Sequence, residues 1–188
     1  MEELIHFLFE AGHLKNVDRS GWWLLGNKNP ESVAEHSFRC TILGYILAKL
    51  EKVDASKVIM MCLFHDVHET RTNDLHKVVQ KYINLEEAGD KATEDQLEPL
   101  KGPLGDDIAD ALSELTNEES KESMVAKDAD VLECAIQARE YQVQGYEGAI
   151  DWLDRADEKL KCESSRKLLA ILKVSDPGEW WKKLKIRK

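Results

Sequence analysis

Val58-Ile-Met-Met-Cys-Leu-Phe64-His65-Asp66 is an unbroken apolar run that ends in two adjacent metal-binding side chains. An apolar stretch of this length reads as a buried segment, helix or strand. A neutral imidazole and a carboxylate side by side at the end of a rigid, buried element suit a divalent cation. The rest of the chain supplies partners. His36 lies in Pro30-Glu-Ser-Val-Ala-Glu-His36, 29 positions before His65, and Asp130 lies 64 positions after Asp66. Two imidazoles and two carboxylates from separate segments make a mixed nitrogen and oxygen donor set, which points to a metallohydrolase.

Outward from that run, helical periodicity dominates and no convincing strand is found, so the fold class is all-α. A first helix spans about Glu2 to Leu14, with Leu4, Ile5, Leu8 and Phe9 as its apolar positions. An irregular, aromatic-rich stretch follows from Asn16 to Pro30. Pro30-Glu31-Ser32 opens a second helix, with Phe38, Ile42, Ile46 and Leu50 on one face. Asp54 is a good N-cap for the helix that runs into His65-Asp66. Thr70 to Asp74 reads as a loop. Further helices are expected near 75–88, 93–100, 106–116, 120–145, 147–161 and 164–174, with a last one from about Gly178. Within 120–145, Val125, Leu132, Ala135 and Ile136 mark the buried side.

The 188 residues are most simply one domain, long enough for a full core without staples. Cys40, Cys62, Cys134 and Cys162 form no C-x-x-C pair, and the first three sit among apolar neighbours, so reduced, buried thiols are expected. The N-terminus has no basic segment followed by an apolar stretch, and no run approaches the roughly 18 apolar residues of a membrane span. A cytoplasmic protein with no membrane partner is the expectation. The formal charge of −10 argues against a nucleic-acid polymer as partner, because phosphate backbones demand a basic footprint. A small anionic substrate stays open, since a bound cation reverses the local field. The basic cluster Lys182-Lys183-Leu-Lys185-Ile-Arg187-Lys188 reads as a cationic last helical turn.

The sequence around each donor narrows the class. Pro30-Glu-Ser-Val-Ala-Glu-His36, His65-Asp66-x-x-Glu69, Thr72-Asn-Asp74-Leu, Asp130-x-x-Glu133 with Gln137-Ala-x-Glu140-Tyr141, and Arg19 with Gly21-Trp22 resemble the HD-domain superfamily of metal-dependent phosphohydrolases. Within it they look most like the 5′-deoxynucleotidases, over about residues 5 to 145. The resemblance implies a single HD-domain helical bundle with the metal site between helices, and helices 147–188 packing on it or forming an interface. It implies one divalent cation (Mn²⁺, Co²⁺, Mg²⁺ or similar) held by His36, His65, Asp66 and Asp130. Glu69 would orient or deprotonate the attacking water, and Arg19 would grip the phosphate as a planar guanidinium can. Trp22 or Trp23, Asp74, His76 and Lys77 would contact the nucleotide. A small-molecule nucleotide substrate and a homodimer follow by the same resemblance, with Trp180, Trp181, Leu184 and Ile186 available for an interface. Glu133, Gln137 and Glu140 carry no assigned chemistry.

The function implied is hydrolysis of deoxyribonucleoside 5′-monophosphates to deoxynucleoside and phosphate. Two alternatives remain: another HD-type phosphohydrolase, acting on cyclic nucleotides or nucleoside triphosphates, and a non-catalytic nucleotide-binding protein. The short segment between Arg19 and His36 and the lack of a basic polyphosphate pocket lean against triphosphates.

Overall fold

The computed structural model describes residues 1–100, 102–118 and 120–184. Among them ten α-helices form the fold, and the sole β-type pairing is one isolated antiparallel bridge, Asp18 with Ser32. The helices are α1 (Glu2–Gly12), α2 (Val33–Glu51), α3 (Ala55–Phe64), α4 (Glu69–Thr72), α5 (Leu85–Leu97), α6 (Pro103–Asn117), α7 (Lys121–Val143), α8 (Ile150–Lys159), α9 (Glu163–Leu172) and α10 (Glu179–Lys182). Three of them carry the site, and each starts on a side-chain cap. Ser32 opens α2 with a capping box: its hydroxyl accepts from the Glu35 amide, and Glu35 reaches back to the Ser32 amide at 2.7 Å. Asp54 accepts from the Ser56 and Lys57 amides at the start of α3, as its sequence position predicts. Ser120 caps α7 through Ser123.

α2 lies against both α3 and α7. Cys40, Leu43 and Leu47 of α2, Val58 and Met61 of α3, and Val125, Ala129, Leu132 and Ala135 of α7 form the central core. Burial of each such aliphatic side chain stabilises by about 1.5–3 kcal/mol relative to exposure. The α2–α3 contact is close because Gly44 has no side chain there: a Cβ would stand 2.6 Å from Cys62 Sγ. That approach sets α2 and α3 side by side, with His36 on one and His65 at the end of the other. Leu153, Ala156 and Leu169, from α8 and α9, join the same core.

Several sequence expectations differ from this arrangement. The helices expected near 75–88 and 93–100 are instead a short 3₁₀ turn, Val79–Lys81, and the single helix α5. Asn73, at φ +59°, ends α4, and Asn84 starts α5 by accepting from the Glu87 amide, so the helix begins ten residues later than expected. Within the expected loop at 70–74, residues 69–72 form one helical turn. The apolar row Phe38, Ile42, Ile46 and Leu50 of α2 points to solvent, with Phe38 68 % exposed. The core is filled from the other side of the helix, by His36, Cys40, Leu43, Gly44 and Leu47. Helix α2 is apolar on two faces, and the larger side chains lie on the outer one. Ile5, Leu8 and Phe9 of α1 are exposed too, while Leu4 and Phe7 pack against Leu97, Leu100 and Ile108. In the C-terminal segment Trp180, Trp181 and Leu184 are exposed rather than packed. Lys185, Ile186, Arg187 and Lys188 lie outside the described residues. No helix among the described residues is long and apolar enough to cross a membrane.

Candidate metal centre

Four donor groups from three segments meet at one point. His36 Nε2 lies 3.2 Å from His65 Nε2, 3.6 Å from Asp66 Oδ2 and 3.2 Å from Asp130 Oδ1. His65 Nε2 lies 3.0 Å from Asp66 Oδ2 and 4.0 Å from Asp130 Oδ1. Ligand atoms about 2.0–2.2 Å from a common centre and at right angles stand roughly 3 Å apart, so this spacing fits a single cation. The other ring nitrogens are occupied. His36 Nδ1 is hydrogen-bonded to Glu133 Oε2, and His65 Nδ1 donates to the Cys62 carbonyl at 3.0 Å. Both pairings place a ring proton on Nδ1, which leaves Nε2 as the position each ring offers to a metal.

Glu133 was left without a role by the sequence, and Arg39 was not singled out at all. Arg39 Nε donates to Glu133 Oε1 at 2.8 Å, and its other nitrogens donate to Gln137 and Glu140. Residues 133, 137 and 140 of α7 therefore hold Arg39, which holds Glu133, which orients His36. The signal lay in the spacing: Arg39 is one helical turn from His36, and 133, 137 and 140 share one face of α7. Donor atoms of Glu31, His36 and Glu133 also cluster within 4.8 Å. That cluster is closed by Arg39 and by Trp22, whose Nε1 donates to Glu31 Oε1 at 3.1 Å, so it serves as support. Burial, and then the Glu133 charge, raise the Glu31 carboxyl to about 7.

Arg19 is carried to the site by pairing between the segments on either side of the aromatic loop: its amide donates to the Glu31 carbonyl, and the Val33 amide donates to the Val17 carbonyl. Its guanidinium lies 3.3 Å from Asp66 and 3.7 Å from Asp74. Burial works against the Arg19 charge, but the carboxylates of Asp66, Asp74 and Asp130 outweigh it. Burial likewise opposes the charge on Asp66, yet His65, Arg19 and His36 hold it well below the usual carboxylate range. The His65 imidazole shows the converse: Asp66 overrides burial and raises it to about 10. A site that stabilises negative carboxylates and positive partners this strongly is electrostatically prepared for a cation.

Glu69 begins the turn of α4 three residues after Asp66, its amide bonded to the Asp66 carbonyl at 3.0 Å. Its Oε2 is buried and has no hydrogen-bond partner among the described residues. Burial, with Asp66 and Asp74 nearby, pushes the carboxyl up to about 10. Positive charge at the four donors acts in the opposite direction and draws it down. Asp74 faces Arg19 across the site. His76 is placed by its amide, which donates to Ser20 Oγ at 2.9 Å, and its Nδ1 is a second buried atom without a partner among the described residues. Lys77 is exposed beside Lys159 and Arg155 of α8, and the Lys159 charge lowers its pKa. None of these three cations forms an ion pair among the described residues. The sequence separates Lys77 from Arg155 and Lys159 by more than 70 positions and shows no basic cluster here.

Of the two indoles, Trp22 is 2 % exposed, with Tyr141 and Trp152 rings 5.1 Å away, so it has no face left for a sugar. Trp23 is 50 % exposed. His68 is half-buried against α5, where a Cβ on Gly89 would come within 3.0 Å of its ring. A cavity of about 310 Å³, lined by Met61, Cys62, His65, Ala126, Lys127 and Asp130 among others, opens beside two of the donors.

An all-α bundle with a two-histidine, two-aspartate centre, the second histidine and first aspartate adjacent in sequence, defines a class of metal-dependent phosphohydrolases. A profile of the HD domain matches residues 11–166, and the chain belongs to that family. The 5′-deoxynucleotidase HDDC2 of Dictyostelium discoideum is 31 % identical over 158 residues, which cover 78 % of this chain and 82 % of that protein. The human protein of the same name is 28 % identical over 144 residues, covering 74 % of this chain and 68 % of its own length. Among solved structures, a conserved hypothetical protein from Pyrococcus furiosus superposes with a TM-score of 0.76 at 32 % identity, covering 90 % of this chain and 96 % of that one. A metal-dependent phosphohydrolase, so described, from Magnetospirillum magnetotacticum superposes at 0.71, covering 91 % and 89 %, and at 20 % identity speaks to the fold alone.

Proposed function

We propose that the chain is a single-domain, cation-dependent 5′-deoxynucleotidase, which hydrolyses deoxyribonucleoside 5′-monophosphates to deoxynucleoside and phosphate. The convergence of His36, His65, Asp66 and Asp130, with Arg19 and Glu69 at its edge, carries this reading. The names of the relatives support the substrate class. The ion would be Mn²⁺, Co²⁺ or a similar divalent cation, since two imidazoles favour such ions over Mg²⁺. A cation at these four donors supplies Lewis acidity toward a phosphoryl oxygen and acidifies water.

The chain's own residues do the rest. Arg19 donates to non-bridging phosphoryl oxygens and shares the charge that develops there. Glu69 takes a proton from the attacking water at its buried Oε2 and aims the oxygen at phosphorus, in line with the departing 5′-oxygen. Glu133 keeps the His36 ring in register. Asp74, His76 and Lys77 line the side on which the nucleoside would sit. Trp22 anchors the Arg19 loop to the core and Trp23 is the indole free for the sugar. With four unpaired thiols, the protein suits the reducing cytoplasm.

A phosphate-release screen with Mn²⁺, Co²⁺ and Mg²⁺ tests this. Deoxyribonucleoside monophosphates should turn over faster than the matching ribonucleotides, and a chelator should stop release until cation is restored. One observation favours a second reading: Lys77, Arg155 and Lys159 are a cluster of cations with no ion-pair partner among the described residues, suited to a triphosphate. Faster turnover of deoxynucleoside triphosphates than of monophosphates in the same screen would give the site to that activity.

The homodimer reading gains a surface. Phe38, Ile42, Tyr45 and Ile46 form an exposed stripe on α2, beside a groove of about 520 Å³ lined by Phe38, Arg39, Ile42 and Tyr141. A contiguous apolar face of this kind is uncommon on a monomer. Sedimentation should give twice the chain mass, and Ile42→Glu should reduce it to one. An unchanged mass for Ile42→Glu would move the interface elsewhere.

A further inference from the structure

We propose that Cys40 is a sulfur donor at this same metal centre, giving it a preference for thiophilic cations that two imidazoles and two carboxylates alone would not confer. The proposal rests on the metal-centre reading and adds a ligand to it. Cys40 follows His36 by four residues on α2, the spacing that puts two side chains on one helical face and lets both reach one ion. Both are fully buried. The Cys40 sulfur lies within 4.8 Å of donor nitrogens of both His36 and His65. A zinc ion holds sulfur at about 2.3 Å and imidazole nitrogen at about 2.0–2.1 Å, which puts the two donors roughly 3.5 Å apart, so ligation needs the Cys40 side chain to turn toward the ion.

Asp130 is partly open to solvent, its side chain 43 % exposed, while Cys40 is fully buried. The neighbouring thiol, Cys62, shares a side-chain hydrogen bond with Cys40, packs against Gly44 and points its sulfur to the Ala126 carbonyl at 4.0 Å. Among the described residues Cys40 makes no main-chain hydrogen bond through its sulfur, and ligation would exchange its bond to Cys62 for one to the ion. Soft thiolate donors select Zn²⁺, Cd²⁺ and Co²⁺ over Mn²⁺ and Mg²⁺. On ligation the S–H bond breaks, a sulfur–metal bond forms and the proton passes to solvent. The sulfur thereby gives the centre a second function, the capture of thiophilic ions from mixtures in which harder ions are abundant.

Cobalt reports this directly. The full-length protein, freed of metal and titrated with Co²⁺, should develop visible ligand-field bands together with a near-ultraviolet sulfur-to-cobalt charge-transfer band. Cys40→Ser and Cys40→Ala should keep the ligand-field bands and lose the charge-transfer band, while Cys62→Ser keeps both. Cd²⁺ affinity should fall about tenfold or more in both Cys40 variants, with Mn²⁺ affinity unchanged. Ligand-field bands without a charge-transfer band in the unaltered protein overturn the sulfur ligand and leave the centre standing, as does a charge-transfer band that survives both Cys40 variants. Absence of all cobalt bands overturns the metal centre, and the sulfur ligand with it.

Discussion

Asp66→Ala is expected to lose the bound cation and all measurable phosphate release while keeping the helical far-ultraviolet spectrum. Asp66 Oδ2 stands within 3.0 Å of His65 Nε2 and 3.6 Å of His36 Nε2, and it is also the nearer of the two carboxylates on Arg19. Its removal takes a candidate donor, a negative charge and the nearer partner of Arg19 at once. The loss should exceed the roughly 10–100-fold that changes outside the ligand shell cost. The fold should survive because Asp66 lies past the end of α3 and outside the central core, and Arg19 retains Asp74. Metal content by elemental analysis and turnover under saturating Mn²⁺ check it. Stoichiometric metal in an inactive variant, or full activity without metal, would remove Asp66 from the ligand set.

Glu69→Ala should behave differently: cation and substrate still bind, and turnover falls by roughly 10²–10⁴, the usual contribution of a positioned acid–base group. Glu69 makes no contact with the four donor atoms that its loss would break, and its Oε2 has no partner among the described residues to leave stranded. Glu69→Gln keeps the shape and hydrogen-bonding capacity but cannot accept the proton, so it should be nearly as slow. Burial, with Asp66 and Asp74 beside it, pushes the carboxyl up to about 10, and cation binding should lower that value. The rate at saturating substrate, measured against pH in the presence of cation, should therefore show an ascending limb that both variants lack. Near-unaltered turnover of Glu69→Ala at saturating substrate would place the base elsewhere.

Much of the site is legible in the chain because it depends on local rules. The apolar run to Phe64 ends at His65 and Asp66 because a buried helix must stop where two polar groups are needed, and Asp54 at its start is a cap by chemistry alone. The three-residue step from Asp66 to Glu69 puts both at one edge of the site because the backbone turns there. Helix α5 was misplaced for the same kind of reason: the left-handed Asn73 and the cap Asn84 are each a single residue in a polar stretch, where many positions could start or stop a helix.

Other features could not be read locally. The apolar row of α2 satisfies helical periodicity whichever way it faces, and only the packing of α3 and α7 on the opposite side turned it to solvent. Trp22 and Trp23 are adjacent and chemically identical, and the space between Tyr141 and Trp152 decided which became core. By itself the sequence determined an all-helical chain and marked His36, His65, Asp66 and Asp130 as candidate donors through residue type and spacing, while Glu69 and Arg19 came forward only through the family resemblance. The tertiary structure alone decided that Glu133, 97 positions from His36, sets its tautomer, that Arg39 ties three residues of α7 to it, and that Lys77 meets Arg155 and Lys159. Such contacts join distant segments, and no local periodicity encodes which side chains a packed pair of helices will bring face to face.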